Sequence, residues 1–356
     1  MKILLAGYYG YADGYLAGAK GLIDLGHELS FFPLMTMIHK KYSIDDLINV
    51  LNGNSLSYEN LKKKYSEYVN DSPDIKPDIC LWWQPVPQLS VQNLAKIKNQ
   101  TSCKFIQLNW DPSAIIETDH KEHISSFRKC VEALPFFNKI LVVNSKLINH
   151  LQKYNRYNIP IKHFYPGHHE STSFYNENKE YACDISIICT NLYEDLNLWK
   201  GTKICRKHIV DAIYSRKDID FHFYGPERFK TLYPRAYKGF IKYGDCNKVF
   251  SNSKINLNIS PVGDSLNEII NGEKRNYMSE RCPQILACKG LMICETDLTP
   301  LLVPGKDYIK IDNVENFIKL IPEILKNDEE YNKIRESGYQ KALKHLRWED
   351  TLKIIF

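Results

Sequence analysis

The sequence lacks several patterns that would assign its class at once. None of its ten cysteines forms a C-x-x-C pair, the spacing of zinc ribbons and of thioredoxin-like redox pairs. No apolar run approaches the roughly 18 residues that a membrane-spanning helix needs. The excess of positive charge is also small: 47 Lys and Arg against 42 Asp and Glu give a net charge of +5. We therefore expect no transmembrane segment, and no nucleic-acid partner, because such partners usually meet a concentrated basic face.

What remains is an ordinary globular composition over 356 residues, with 44% hydrophobic and 25% charged residues. That length predicts two or three domains. The start, MKILLAGYYG, has one Lys and a short apolar run, so it predicts a first β-strand and not a secretory signal. Most cysteines lie in apolar segments such as DISIIC, ILAC and LMIC. They predict buried reduced thiols and a cytoplasmic protein, with peripheral attachment to a membrane left open.

Short apolar runs alternate with segments of helical period along the whole chain. Such continuous runs are typical of strands buried on both faces of a parallel sheet. The first series is KILLA, ELSFF, DICLWW, CKFIQLN and KILVV, and the second is CDISIICT, IDFHFYG, KINLNIS and GLMIC. Two such series predict an α/β protein with two Rossmann-like, doubly wound parallel sheets.

A polar segment with a Pro-Gly pair separates the two series. We predict a first domain over 1–168, to which a C-terminal helix at about 346–356 returns, a linker over 169–180, and a second domain over 181–345.

Several motifs follow one another in the order found in one family. They include GLIDLGHELSFF, FIQLNWDPS, VFSNSKINLNIS and SERCPQILACKGLMICETDLTPLLVPGKD, then the tail ALKHLRWEDTLKIIF. With them the chain resembles the GT-B glycosyltransferases, and within these the CgeB-like (spore maturation protein-like), glycosyl transferases group 1 branch. The resemblance implies two domains facing a cleft and a terminal helix that crosses back to the first. It also implies transfer of a sugar from a UDP- or GDP-linked donor, held by the second domain, to a glycan or other hydroxyl acceptor.

The strongest motif places two candidate donor-binding residues on one short helix. Arg281 falls in its first turn, and a guanidinium there suits diphosphate oxygens. Gln284 lies one turn later on the same face and replaces the acidic residue that the family uses for ribose. A surface ion pair for Arg281 and simple solvation for Gln284 are the alternatives.

Six further donor-binding candidates lie in the second series. Four of them end a strand or lie near its carboxyl end, where ligands of open α/β sheets bind, whereas Lys254 opens a strand and Arg206 lies on a helix. For Lys254 a strand-edge charge is the alternative, for Gly225 a simple turn, and for Arg206 an exposed helical position. The six are Thr190, Arg206, Gly225, Lys254, Asn258 and Ser260.

Catalysis needs a group that takes the acceptor proton if the enzyme inverts configuration. Asp111, at the end of the strand in NWDPS, and Asp13, in the loop after the first strand, are candidates, and each is also suited to capping a turn or helix. His168, beside the linker, is the third candidate, with a solvent-exposed linker residue as the alternative.

We expect no metal and no other cofactor. The acidic pair DID at 218–220 precedes a strand, whereas a metal site would follow one, and DHKEH at 119–123 fits a solvated helix face better than a zinc site. Two other functions stay open: a nucleotide-sugar epimerase on the same fold, and a non-catalytic nucleotide-binding homologue, which the Gln at 284 would favour.

Overall fold

This computed structural model describes residues 1–7, 13–33, 43–53, 76–83, 90–109, 131–143, 145–192, 206–259 and 278–356. The chain divides into two compact units. The first unit comprises Met1–Tyr165 and Trp348–Phe356, and the second comprises Pro166–Arg347.

The first unit holds a six-stranded parallel sheet with the order β2-β1-β3-β4-β5-β6. Its strands are β1 (Lys2–Gly7), β2 (Glu28–Pro33), β3 (Ile79–Trp83), β4 (Lys104–Asn109), β5 (Lys139–Val142) and β6 (Ile161–His163). Its described helices are α1 (Asp13–Asp24), α2 (Ile44–Leu51), α3 (Val91–Gln100) and α4 (Ser145–Gln152). The order reverses between β1 and β3, as in doubly wound folds.

Local sequence explains where the helices of this unit begin. Ser43 accepts a hydrogen bond from the backbone of Asp46, whose carboxylate accepts one in return, so a capping box starts α2. Ser90 caps α3 in the same way through the backbone of Asn93. The apolar faces of both helices then pack on β1, β3, β4 and β5 to form one core.

Two glycines of α1 allow close packing, Gly18 against a ring of β3 and Gly21 against the end of the chain. A Cβ at Gly18 would lie 2.2 Å from the Trp83 ring, and one at Gly21 would lie 2.5 Å from the Trp348 Cβ. Trp348 is fully buried and begins the last helix, Trp348–Thr351. The terminal segment thus returns to the first unit, as predicted.

The second unit holds another six-stranded parallel sheet, with the order β12-β11-β10-β7-β8-β9. Its strands are β7 (Cys183–Ile188), β8 (Phe221–Tyr224), β9 (Tyr237–Gly239), β10 (Ser253–Leu257), β11 (Met292–Cys294) and β12 (Ile309–Lys310). Its described helices are α5 (Arg206–Ser215), α6 (Phe229–Leu232), α7 (Cys246–Asn252), α8 (Arg281–Ala287), α9 (Val314–Lys326) and α10 (Asp328–His345).

The predicted fold class is confirmed, because both sheets are parallel and carry helices between their strands. Three strands of two or three residues, β6, β9 and β12, were not predicted. The eight cysteines within the described ranges are all buried and free, as predicted. None of the described helices is long and apolar enough to cross a membrane. The predicted domain boundaries stay a prediction.

Candidate functional site

The second sheet reverses its strand order at β7. β8 and β9 continue on one side of β7, and β10, β11 and β12 on the other. All pairs are parallel, so the carboxyl ends of β7 and β10 meet at one edge. In open α/β sheets, ligands bind outside the carboxyl ends at such a reversal. We therefore take this edge of the second unit as the candidate site.

Arg281 reaches this edge from the first position of α8. One amino group of its half-buried guanidinium donates to the carbonyl oxygen of Ile188, the last residue of β7. No described carboxylate forms an ion pair with Arg281 or with Arg228, which lies at the same edge. The positive charge of Arg281 is therefore held at the strand end without a described acidic partner.

Two more arginines bind the residues that follow β7. Arg228 is exposed and donates to the carbonyl oxygen of Thr190. Arg206, only 2% exposed, donates to the carbonyl of Asn191 at 2.5 Å and to that of Ile259 at 2.7 and 3.0 Å. Arg206 thus ties the segments after β7 and β10 together.

The thiol of Cys189 lies within the field of the same three guanidiniums. Burial raises its pKa, and the charges of Arg206, Arg281 and Arg228 act in the opposite direction. The three arginines, far apart in sequence, therefore converge on residues 188–191. A cluster of guanidinium forks is suited to the oxygens of a phosphate or diphosphate.

Gln284 is buried and belongs to a short chain of hydrogen bonds. Its amide Nε2 donates to the Tyr243 hydroxyl at 2.5 Å. That hydroxyl donates to the Glu280 carboxylate Oε1 at 3.1 Å. Glu280, one turn before Gln284, is half-buried. Position 284 thus carries an amide, and a carboxylate lies one turn earlier.

Asn258 joins the end of β10 to the start of α8. Its Oδ1 accepts from the Ser279 hydroxyl at 2.9 Å, and its Nδ2 lies 2.9 Å from the Cys282 sulfur. Burial raises the pKa of Cys282 to about 11, so the thiol stays neutral at physiological pH. With both ends of its amide engaged, Asn258 positions the helix that carries Arg281.

Gly225 is required by a close approach. A Cβ there would lie 2.5 Å from the carbonyl oxygen of Cys189. The amide of Gly225 also donates to the carbonyl of Gly239 at 3.0 Å. Only glycine therefore lets the end of β8 lie this close to the segment that the arginines bind.

Lys254 is not brought to this edge. It lies near the amino end of β10, where its Nζ is 2.8 Å from a carboxylate oxygen of Asp184 in β7. Ser260 lies outside the described residues. The structure thus brings together Arg281, Gln284, Asn258, Gly225, Thr190 and Arg206, and it separates Lys254 from them.

The three catalytic candidates are placed less completely. Asp111 lies outside the described residues, and Asp13 is the first residue of α1, with a side chain that is likewise outside them. His168 is 1% exposed, its Nε2 lies 3.2 Å from the carbonyl oxygen of Ala342, and its backbone amide donates to Leu346. This burial favours a structural role for His168, and its catalytic role stays a prediction.

Sequence reasoning missed Arg228, Tyr243 and Glu280. Arg228 follows Gly225 by three residues, so the strand-ending glycine in HFYGPER was a usable signal. The side-chain role of Tyr243 could not be inferred from local sequence, because its hydrogen bonds are with residues about forty positions later. Within the described ranges, no group of three His, Cys, Asp or Glu is placed to hold a metal.

Comparisons with known proteins concern the second unit and the fold. Residues 206–356 match the family model described as glycosyl transferase-like. No curated protein matches the sequence.

Solved structures match over almost the whole chain. Anabaena HepE in complex with UDP-glucose is 11% identical with a TM-score of 0.60, covering 100% of this chain and 98% of its own. TarM is 10% identical with a TM-score of 0.57, and the match covers 99% of this chain and 97% of TarM. The UDP-GlcNAc 2-epimerase of Neisseria meningitidis, bound to UDP-GlcNAc, is 11% identical with a TM-score of 0.50, covering 100% and 98%. At such identities the likeness shows the GT-B fold alone.

Proposed function

We propose that the protein is a glycosyltransferase that moves a sugar from a nucleotide-diphosphate donor to an acceptor hydroxyl. The observation that carries this proposal is the convergence of Arg281, Arg228 and Arg206 on residues 188–191 at the reversal point of the second sheet. The match of residues 206–356 to the glycosyl transferase-like model supports it. The narrower CgeB-like assignment rests on the sequence motifs.

Each group at the edge has a part in this reaction. As the bond between the sugar and the diphosphate breaks, negative charge grows on the leaving oxygen, and fixed cations lower the energy of that state. We assign this role to Arg281 and to the exposed Arg228. Arg206 is buried, and we assign it the role of fixing the backbone of residues 188–191, to which the other two arginines donate hydrogen bonds.

We assign recognition of the ribose hydroxyls to the hydrogen-bond chain on α8. A carboxylate is a strong acceptor for such hydroxyls, as in dinucleotide-binding folds. Glu280 supplies it, while Tyr243 and Gln284 hold its orientation. The base that deprotonates the acceptor is proposed to come from the first unit, as Asp111 or Asp13. No metal or cofactor is assigned a part, and a cytoplasmic location fits the free buried thiols.

Nucleotide binding tests the proposal directly. We expect calorimetric titration with UDP, GDP and their sugars to show binding by at least one of them. A folded protein that binds none would contradict the proposal.

Turnover then separates transfer from the alternatives. Release of the nucleoside diphosphate only when an acceptor is added supports a transferase. An altered free nucleotide-sugar without acceptor would favour an epimerase, the activity named for the Neisseria neighbour. Binding with no turnover across a broad acceptor set would favour a non-catalytic homologue.

A further inference from the structure

A tight turn in the first unit joins α4 to β6 and carries an exposed cluster of aromatic and basic side chains. Tyr154 is 50% exposed and Tyr157 is 59% exposed. Lys153, Arg156 and, at the start of β6, Lys162 are exposed beside them. We call these five residues the basic-aromatic turn.

The turn has a fixed conformation. The Asn155 side chain accepts from the Ile159 amide at 3.0 Å and donates to the Ile159 carbonyl at 2.7 Å. Asn158 takes a left-handed conformation, with φ of 53°, which Asn tolerates better than most residues. Because the backbone is tied in this way, the exposed side chains are held outward.

The basic-aromatic turn lies at the amino edge of the first sheet. α4 follows β5 and runs back, and β6 pairs with β5 in parallel, so residues 153–160 lie where both strands begin. This edge is opposite the carboxyl edge, where ligands of open α/β sheets bind. A surface bound at the turn would therefore leave the ligand edge of this unit uncovered.

The charge around the turn has one sign. Residues 133–169 contain five Lys and Arg and no Asp or Glu. Among the described residues, no carboxylate forms an ion pair with Lys153, Arg156 or Lys162. Burial and the charge of Lys162 both lower the pKa of neighbouring Lys139.

Exposed apolar side chains of the first unit share this edge. Within its described residues, the large ones are Met1, Tyr154, Tyr157 and Phe356. Met1 precedes β1, and the ring of Phe356 lies 4.4 Å from that of His27, one residue before β2. Lys139, at the start of β5, holds the carbonyl oxygens of Ile354 and Ile355 at 3.0 and 2.9 Å. The amino edge therefore combines exposed apolar side chains with an excess of basic ones, although the exposed carboxylates of Glu28 and Asp78 also lie there.

We propose that this edge docks the protein on a membrane surface rich in anionic phospholipid. Tyrosine rings favour the level of the lipid headgroups, and Lys and Arg next to them attract anionic lipids. Single apolar side chains spread along one sheet edge suit a soft planar surface, whereas a helix or peptide partner would need a groove.

Vesicle sedimentation tests the proposal. The full chain is mixed with vesicles of equal parts phosphatidylglycerol and phosphatidylcholine, or of phosphatidylcholine alone. We expect binding to the anionic vesicles only, weakened by added salt. No binding to the anionic vesicles, or equal binding to both kinds, would overturn the proposal.

Two double variants locate the contact. Lys153→Glu with Arg156→Glu should weaken vesicle binding at least about tenfold, since each cation near the surface contributes about fivefold. Tyr154→Ser with Tyr157→Ser should weaken it at both low and high salt. The control, Tyr175→Ser with Lys179→Glu, changes an exposed aromatic and an exposed lysine of the second unit and should bind like the unaltered chain.

Two further results would overturn the proposal. One is vesicle binding unaffected by either double variant, with all chains folded by circular dichroism. The other is equally tight binding to soluble heparin that does not need the tyrosines, which would point to a polyanionic chain. Because nucleotide affinity is measured separately, failure here leaves the proposed transferase function untouched.

Discussion

The guanidinium of Arg281 binds the carbonyl oxygen of Ile188, a residue 93 positions earlier in the chain. This bond joins the first residue of α8 to the last residue of β7. It fixes a positive charge just beyond the end of the strand. The charge is not neutralised, because a carbonyl group carries no net charge. The side chain can therefore hold its place in the fold and still bind an anion with its remaining N–H groups.

Replacing Arg281 tests whether it binds the donor. We expect Arg281→Ala to lower the affinity for the nucleoside diphosphate about 10- to 100-fold, the loss typical of one or two charged hydrogen bonds. The affinity of Arg281→Lys should lie between those of Arg281→Ala and the unaltered chain, since an ammonium keeps the charge but loses the planar set of N–H donors of a guanidinium. Titration calorimetry measures both.

A matched surface arginine provides the control. Arg216 pairs with Asp218 at the exposed end of α5, near the amino end of the sheet. Arg216→Ala should leave nucleotide affinity unchanged. Equal affinities for Arg281→Ala and the unaltered chain would remove Arg281 from the site.

The fold could be predicted from the sequence because each longer strand is a continuous run of apolar residues. Runs such as ICLWW and KFIQLN are buried at almost every position, as strands of a parallel sheet must be. β6, β9 and β12 could not be predicted in this way. Strands of two or three residues are defined by their pairing with a neighbour and carry no pattern of their own.

Two local patterns pointed to residues of the candidate site: spacing along one helix and position at the end of a strand, as for Gly225 and Asn258. Arg281 and Gln284 share a turn of α8, so their spacing was informative. The hydrogen bond between Asn258 and Ser279 joins two segments 21 residues apart, and no local pattern records it. Lys254 could have been set aside from the sequence, because it opens its strand whereas ligands bind beyond the carboxyl end.

Tyr243 is predicted to couple Gln284 and Glu280. Tyr243→Phe removes the hydroxyl that accepts from Gln284 and donates to Glu280, leaving the buried Gln284 amide short of a partner. We expect a loss of about 1–3 kcal/mol in the free energy of unfolding. Gln284→Leu removes the same bond from its other end. The double variant should therefore lose clearly less than the sum of the single variants.

Urea denaturation of the four proteins provides the free energies of this cycle. Strict additivity would show that the Gln284–Tyr243 bond contributes nothing to stability. Tyr243→Phe should also weaken nucleotide binding, because Glu280 loses the hydroxyl that orients it. Unchanged nucleotide affinity would remove the chain from the ribose site.

His168 is predicted to make the protein sensitive to acid. Burial lowers its pKa to about 4, against about 6.5 in the unfolded chain. As the pH falls through 6.5 the unfolded chain takes up a proton that the folded chain does not, so stability drops. The loss continues to about pH 4 and amounts to about 3 kcal/mol.

Denaturation across this pH range should show the effect as a slope. His168→Gln should be less stable at pH 7, because a buried contact changes, but should lose less stability between pH 6.5 and 4. An unchanged slope in His168→Gln would mean that other groups produce the acid sensitivity.

Gly338 is predicted to set how closely α10 packs on α8. A Cβ at this position would lie 2.3 Å from the carbonyl oxygen of Asp307 and 2.8 Å from a Leu286 methyl carbon. Alanine is the better helix former by about 1 kcal/mol, so an exposed glycine in this helix would gain from the change. Here we expect Gly338→Ala to destabilise by about 1–3 kcal/mol, since overpacking outweighs propensity.

Gly338→Ala should also alter the candidate site. Leu286 lies two residues after Gln284, so displacement of α8 should move Arg281 and lower nucleotide affinity together with stability. Gly244→Ala is the control for stability and should be nearly neutral, because no atom of the described residues, its chain neighbours aside, lies within 4 Å of the added Cβ. If Gly338→Ala were as stable as the unaltered chain and bound nucleotide equally well, the helix pair would be free to separate. The position of α8 would then depend on its other contacts, among them those of Arg281 and Gln284.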